Sequence, residues 1–180
     1  MSRTFAFLRA INVGGHTVTM ERLRELFAGF GLQGVETFIA SGNLIFETGR
    51  ETEAALSRRI EAGLKAALGY EVAVLLRGEA ELAALVGGCP FREVEVSAAK
   101  ALNVAFLAAP LTEAQETKLQ TLGTAVDAFR TTGREVWWLC QVKQSESTFS
   151  NAVFERALGV RSTIRGFSTL QRLAAKHLKA

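Results

Sequence analysis

Over residues 5–76 the hydrophobic pattern changes period in the order strand, helix, strand, strand, helix, strand, with a backbone breaker near most junctions. No other feature constrains the fold as much, because strands and helices in this split order close into a ferredoxin-like βαββαβ unit with two helices on one face of an antiparallel sheet. Phe5 to Ile11 reads as the first strand, and Gly14-Gly15 breaks it. Met20, Leu23, Leu26, Phe27 and Phe30 then recur at helical spacing. Thr19 stands where an N-cap is wanted and Gly31 where a left-handed C-terminal residue is wanted. The strands Val35 to Ala40 and Leu44 to Glu47 flank Ser41-Gly42-Asn43, whose Gly and Asn tolerate positive φ and so suit a hairpin. A second helix is expected from Thr52, striped by Leu56, Ile60, Leu64 and Leu68 and ended by Gly69 before a strand from Glu71 to Leu76.

The second half repeats much of this order without obvious sequence similarity. Ala101 to Leu107 reads as a strand, and Thr112 with Gln115 forms a capping box for a helix reaching Leu122. Strands Ala125 to Arg130 and Glu135 to Cys140 meet around Thr131-Thr132-Gly133, and a helix from Thr148 to Leu158 is followed by Gly159. Ser168 and Gln171 form a second capping box, for a last helix with Leu170, Leu173, Ala174 and Leu178 on its apolar face. The expected architecture is α+β in two subdomains: a ferredoxin-like βαββαβ unit over residues 1–78 and a second unit of similar βαββα order over 100–180, joined by a partly helical connector over 79–99. Phe5, Leu8, Leu23, Phe27, Phe30, Ile60, Leu64 and Val74 are the expected core of the first, and Leu102, Val104, Phe106, Phe129 and Leu158 of the second.

Composition narrows the classes of function. With 48% hydrophobic and 22% charged residues and two prolines in 180, the chain is expected to fold throughout. The apolar stretch before Arg9 is too short for a signal peptide. The run from Val104 to Leu111 is far below the roughly 20 apolar residues of a membrane span. Cys89 and Cys140 lack paired spacing and read as buried thiols of a reducing compartment, so the expected location is cytoplasmic, without membrane insertion. Two histidines far apart in sequence and two isolated cysteines give no basis for a metal site, and no cofactor is expected. The net charge of +3 hides an asymmetry: Arg156, Arg161, Arg165, Arg172, Lys176 and Lys179 occur without any acidic residue after Glu155, against 15 basic and 18 acidic residues before Arg156.

The segments Phe7-Leu8-Arg9-Ala10-Ile11-Asn12-Val13-Gly14-Gly15-His16 and Ile39-Ala40-Ser41-Gly42-Asn43-Leu44-Ile45-Phe46 closely resemble the hallmark of the domain-of-unknown-function 1697 (DUF1697) family. The resemblance extends through Pro90-Phe91, the strand Arg134-Glu135-Val136-Trp137 and the segment from Thr163 to Thr169. It implies two α+β subdomains, the first ferredoxin-like, and no known activity. Two departures stand out. Ala10 replaces the glycine common after the strand arginine. Gly166 and Phe167 replace the Asn-Trp of the usual Thr-x-Arg-Asn-Trp-x-Thr, whereas Arg165 and Thr169 carry over.

The βαββαβ order also locates a site. Its first two strands run in the same direction, so the end of the first and the hairpin after the second share one end of the sheet. Asn12, Gly14, Gly15 and His16 are thereby expected beside Ser41, Gly42 and Asn43, with a helix N-terminus opening onto the same rim. Arg9, and Arg165 and Thr169 from the C-terminal motif, complete the candidate ligand-binding set. A small anion, such as a phosphorylated metabolite or nucleotide, is the expected ligand. Three readings stay open: a small-ligand binder or enzyme using the rim, a weak nucleic-acid-binding module using the basic C-terminal region, and a protein-interaction module. Ser41 and His16 form a conceivable nucleophile pair, but no third residue is available to orient the imidazole. No Walker A loop, Gly-x-Ser-x-Gly elbow or His-Glu-x-x-His pair occurs.

Overall fold

Six elements make up the N-terminal unit: β1 (Ser2–Leu8), α1 (Met20–Gly29), β2 (Gln33–Thr37), β3 (Asn43–Thr48), α2 (Glu53–Leu68) and β4 (Val74–Gly78). They are seen in a computed structural model that describes residues 2–12, 14–39 and 42–178. The sheet runs β2-β3-β1-β4 with every neighbouring pair antiparallel, which is the ferredoxin-like order. Ala6, Leu8, Leu44, Phe46, Val74 and Leu76 line one face of it, and Leu23 and Phe27 of α1 with Leu56, Ile60 and Leu64 of α2 pack in the same core. The N-cap anticipated at Thr19 and the glycine stop anticipated at Gly69 are made, and Thr52, read as the helix start, proves to be the N-cap of α2. Thr19 Oγ1 accepts from the Arg22 N–H at 3.1 Å, Thr52 Oγ1 from the Ala55 N–H at 3.3 Å, and Gly69 ends α2 with φ 83°. Each such N-cap contributes about 1 kcal/mol. Phe5 and Phe7 are buried as fully as Ala6 and Leu8, so β1 reads as a continuous apolar run rather than an alternating one.

The C-terminal unit has the same plan. After α3 (Glu79–Gly87), within which the chain divides into the units Met1–Leu82 and Ala83–Ala180, come α4 (Glu93–Ala98), β5 (Ala101–Phe106), α5 (Glu113–Gln120), β6 (Asp127–Thr132) and β7 (Glu135–Cys140). A short 3-10 turn (Gln144–Glu146), α6 (Asn151–Leu158), β8 (Thr163–Gly166) and α7 (Phe167–His177) follow. The sheet order is β6-β7-β5-β8, again antiparallel throughout. Ala105, Leu107, Val136 and Trp138 form its core with Leu119 of α5 and Phe154 and Leu158 of α6. The Thr112–Gln115 capping box closes in both directions, and Gly159 ends α6 with φ 65°. Among the described residues no helix is long and apolar enough to cross a membrane.

Several element bounds shift by a few residues, β2 spanning Gln33–Thr37 rather than Val35 to Ala40 among them, and four further details differ from the sequence reading. β8 was not anticipated, so the second unit is a full βαββαβ followed by α7 rather than βαββα. β8 is only four residues long and includes an arginine, which leaves little period to read. The Ser168–Gln171 capping box does not form: β8 feeds directly into α7, Gly166 becomes the N-cap, and Phe167 packs on Trp137 with ring centroids 5.1 Å apart. β1 ends at Leu8 rather than Ile11, because Ala10 turns into the left-handed region at φ 55°. Phe30 and Leu102 are half-buried, whereas the rest of the expected core is buried.

The connection from β7 to α6 is fixed by a carboxylate. Asp127, buried at the start of β6, accepts from Trp138 Nε1 at 2.7 Å, from Ser147 Oγ at 2.9 Å and from Thr124 Oγ1 at 2.9 Å. Burial works to raise its carboxyl, but the hydrogen bonds from Trp138, Ser147 and Thr124 outweigh that and hold it below the usual carboxylate range. Phe149 then packs against Phe129 and Trp138, at 4.6 and 4.7 Å between ring centroids. The Pro90-Phe91 motif is anchored comparably: Arg130 on β6 donates to the Pro90 carbonyl, lies 4.4 Å over the Phe91 ring and reaches Glu95 of α4 at 3.2 Å.

Candidate functional site

The end of β1 organises the candidate rim, and Ile11 is its hub. The Leu8 N–H donates to the Gly42 carbonyl at 2.9 Å, joining β1 to the loop between β2 and β3. A methyl group on Gly42 would lie 3.0 Å from Ile11 Cγ2 and 3.1 Å from Leu8 Cβ, and Gly42 has φ 74°, so space and backbone both require glycine there. On the other side of the hub, the Tyr70 hydroxyl donates to the Ile11 carbonyl at 2.9 Å. The Tyr70 ring stacks on His16, with centroids 4.0 Å apart and planes 22° apart. Burial pushes the Tyr70 phenol up.

Asn12 follows the hub directly. Its Oδ1 accepts from the Val18 N–H at 2.8 Å, drawing the loop ahead of α1 into a closed arc. Gly14 and Gly15, at φ 63° and 82°, sit exposed on that arc together with His16. Asn43 is buried and serves the hairpin: its Nδ2 donates to the Phe38 carbonyl at 3.0 Å, and its own carbonyl accepts from the Phe38 N–H at 3.0 Å. Ser41 lies outside the described residues. Arg9 is half-buried, and its backbone N–H donates to the Ala73 carbonyl at 2.9 Å. Two residues other than glycine occupy left-handed backbone among the described residues, Ala10 at φ 55° and Ile39 at φ 51°, and they stand in the two loops that meet at this rim.

Arg165 and Thr169 belong to the C-terminal unit. Arg165 is buried, and its guanidinium donates to Thr163 Oγ1 at 2.6 Å and to the Ile164 carbonyl at 3.0 Å. Burial pulls its pKa down to about 10. Arg165 is therefore not exposed, unlike the other basic residues of this region, Arg156, Arg161, Arg172 and Lys176. Thr169 stands half-buried in the first turn of α7.

The family described as "Protein of unknown function (DUF1697)" matches residues 1–137. The chain belongs to that family. Among solved structures it is similar to a conserved bacterial protein from Streptococcus pneumoniae, with a TM-score of 0.78, 22% identity and 99% of each chain covered. At that identity the likeness speaks for the fold alone: two similar α+β subdomains of strand-helix-strand-strand-helix-strand order. No curated protein matches the chain. The two departures from the DUF1697 pattern have visible consequences. Ala10 stands in a left-handed conformation that a glycine would adopt without strain, and Gly166 is an N-cap without a capping side chain.

Proposed function

We propose that this member of the DUF1697 family is a small-ligand binding protein whose N-terminal rim takes an anionic metabolite, a phosphorylated compound or a nucleotide. The left-handed backbone at Ala10 and Ile39 carries the reading. An alanine in this region is uncommon and a β-branched isoleucine is an outlier, and strain of this kind concentrates at binding and catalytic sites. The surroundings suit an anion. The loop ahead of α1 exposes backbone at Gly14 and Gly15, and the start of α1 opens toward the same end of the sheet. The stacked His16–Tyr70 pair offers a flat aromatic edge beside it.

Magnitudes set what the site needs. A helix end favours an anion by roughly 0.3–1 kcal/mol, far short of the roughly 8 kcal/mol of micromolar binding, so several N–H donors and a cation such as Arg9 must act together. The test is a titration of the full chain with inorganic phosphate and adenosine monophosphate, read by amide NMR. Gly14, Gly15, His16 and Gly42 should shift together, and His16→Ala should weaken nucleotide binding several-fold through loss of the stacked ring. Rim amides unmoved by either ligand would overturn the proposal. Tight, salt-sensitive binding of single-stranded RNA, lost when Arg172 and Lys176 are reversed in charge, would move the function to the basic C-terminal region instead.

A further inference from the structure

A separate cleft lies wholly within the C-terminal unit, at the start of α7. β8 ends at Gly166, directly opposite Asn103 of β5, and α7 begins at the next residue. Its N-cap, Gly166, has no side chain to offer, no side chain caps the helix, and no acidic residue stands in the first turn. The N–H groups of the first turn are thus left for an outside acceptor. The cleft has a volume of about 430 Å³, and Val96, Lys100, Leu102, Asn103, Phe167 and Ser168 are among its walls.

An open helix end alone is commonplace, but Asn103 is not. Asn103 is among the residues lining the cleft, is only 5% exposed, and has its Nδ2 buried without a hydrogen-bond partner. A buried amide donor without an acceptor is costly and rare in folded proteins, and an acceptor atom that comes within hydrogen-bond distance of it removes the cost. Lys100, exposed at the mouth, makes no ion pair among the described residues. The polar groups therefore include helix N–H groups, an amide N–H and an ammonium, all seeking an acceptor, set beside the apolar Val96, Leu102 and Phe167.

We propose that this cleft binds a small organic oxyanion, a carboxylate or a phosphate monoester, with its head on the first turn of α7, Asn103 Nδ2 and Lys100 and its apolar body against Val96, Leu102 and Phe167. This site is independent of the N-terminal rim.

Amide NMR of the full chain with phenyl phosphate, benzoate and benzyl alcohol tests it. Both anions should shift the Asn103 side-chain amide and the Ser168 and Thr169 N–H groups at millimolar concentration, and the tighter of the two identifies the head group. The neutral alcohol should leave them in place. Gly166→Asp provides an internal competitor. Residue 166 has ordinary extended backbone, φ −63° and ψ 137°, and a Cβ there would have its nearest neighbours, Asn103 Oδ1 and Thr169 Oγ1, at 3.9 Å. Its carboxylate should cap α7 and weaken the better probe roughly tenfold or more, with the melting temperature equal or higher. Asn103→Leu should weaken the probe about five- to tenfold with stability kept, since it removes the orphaned donor. Unmoved Asn103 and Ser168 resonances, equal binding of benzyl alcohol, or wild-type affinity in Gly166→Asp would each overturn the proposal. If Asn103→Leu does not fold, Gly166→Asp still decides it.

Discussion

The two units share one sheet order, yet each elaborates a different connection. In the N-terminal unit the path from β1 to α1 takes residues 9–19 and the β2–β3 loop takes 38–42; their counterparts are the shorter segment 107–112 and the two-residue turn Gly133-Arg134. The equivalence is close, since the Leu107 N–H donates to the Arg134 carbonyl at 3.0 Å just as the Leu8 N–H does to that of Gly42 at 2.9 Å. In the C-terminal unit the long connection is instead β7 to α6, residues 141–150, where the first unit needs only 49–52. What fixes each elaboration differs. The β7–α6 segment is held by Asp127 and packed by Phe149, whereas the β1 rim leaves Gly14, Gly15 and His16 exposed and Ala10 and Ile39 strained. A loop over-determined by buried bonds reads as structural. One that keeps strain and exposed backbone reads as a place for something else to bind.

The sharpest way to break that contrast is to remove the carboxylate that fixes the β7–α6 segment. Asp127→Ala leaves Trp138 Nε1 without its acceptor and frees Ser147, and should cost about 3 kcal/mol, read as a lowered urea midpoint. The pH dependence has a definite sign. Asp127 is held below the usual carboxylate range, so its contribution is fully present above the unfolded-state pKa and is lost as pH falls through the folded one. The gap between wild type and Asp127→Asn should therefore be widest at neutral pH and narrow in acid. A gap that is constant with pH would show that the ionised carboxylate is not what holds the segment.

A smaller effect tests the tight turn. Gly133, at φ 57°, occupies the first central position of a two-residue hairpin, where a primed turn demands left-handed backbone. Gly133→Ala should destabilise by about 1 kcal/mol, with the β6–β7 amides the first to lose protection from hydrogen exchange. An unchanged urea midpoint would mean that this turn is as loosely specified as the rim and that the two ends do not differ in kind.

Much of this plan was legible because the deciding residues are local. Thr19 and the Thr112–Gln115 pair cap their helices where they were expected to, and Gly69 and Gly159 end theirs, since caps depend on residues three or four apart. The juxtaposition of the β1 end with the β2–β3 loop followed from strand direction alone. What stayed hidden depends on distant partners. Asp127 is only a polar residue within the strand expected from Ala125 to Arg130 until Trp138 and Ser147 are placed around it, and β8 is recognised by its pairing with β5 rather than by a period of its own. Asn103 did carry a signal, a lone amide within the apolar strand Ala101-Leu102-Asn103-Val104-Ala105-Phe106, but its missing partner shows only in three dimensions. The spacing of Ser168 and Gln171 misled because the pairing of β8 moves the start of α7 to Phe167.

The smallest expected effect has the opposite sign to the others, and it links strain to function. Ala10 at φ 55° carries a left-handed penalty of about 1–2 kcal/mol, and replacing it by glycine removes that penalty while adding roughly 0.5–1 kcal/mol of chain entropy to be lost on folding. Ala10→Gly should thus stabilise by about 0.5 kcal/mol, whereas the glycine-to-alanine change at residue 133 destabilises. Ile39→Asn should act in the same direction as Ala10→Gly, because asparagine tolerates the left-handed region that a β-branched side chain resists. If the strained backbone holds the rim in a shape suited to an anion, both variants should melt slightly higher and bind phosphate or adenosine monophosphate more weakly, since a relaxed loop must be ordered again on binding. A gain in stability with unchanged affinity would separate strain from binding and leave the rim a structural irregularity. A loss of stability in Ala10→Gly would show that residue 10 is not strained, and the contrast between the two units would then rest on exposure alone.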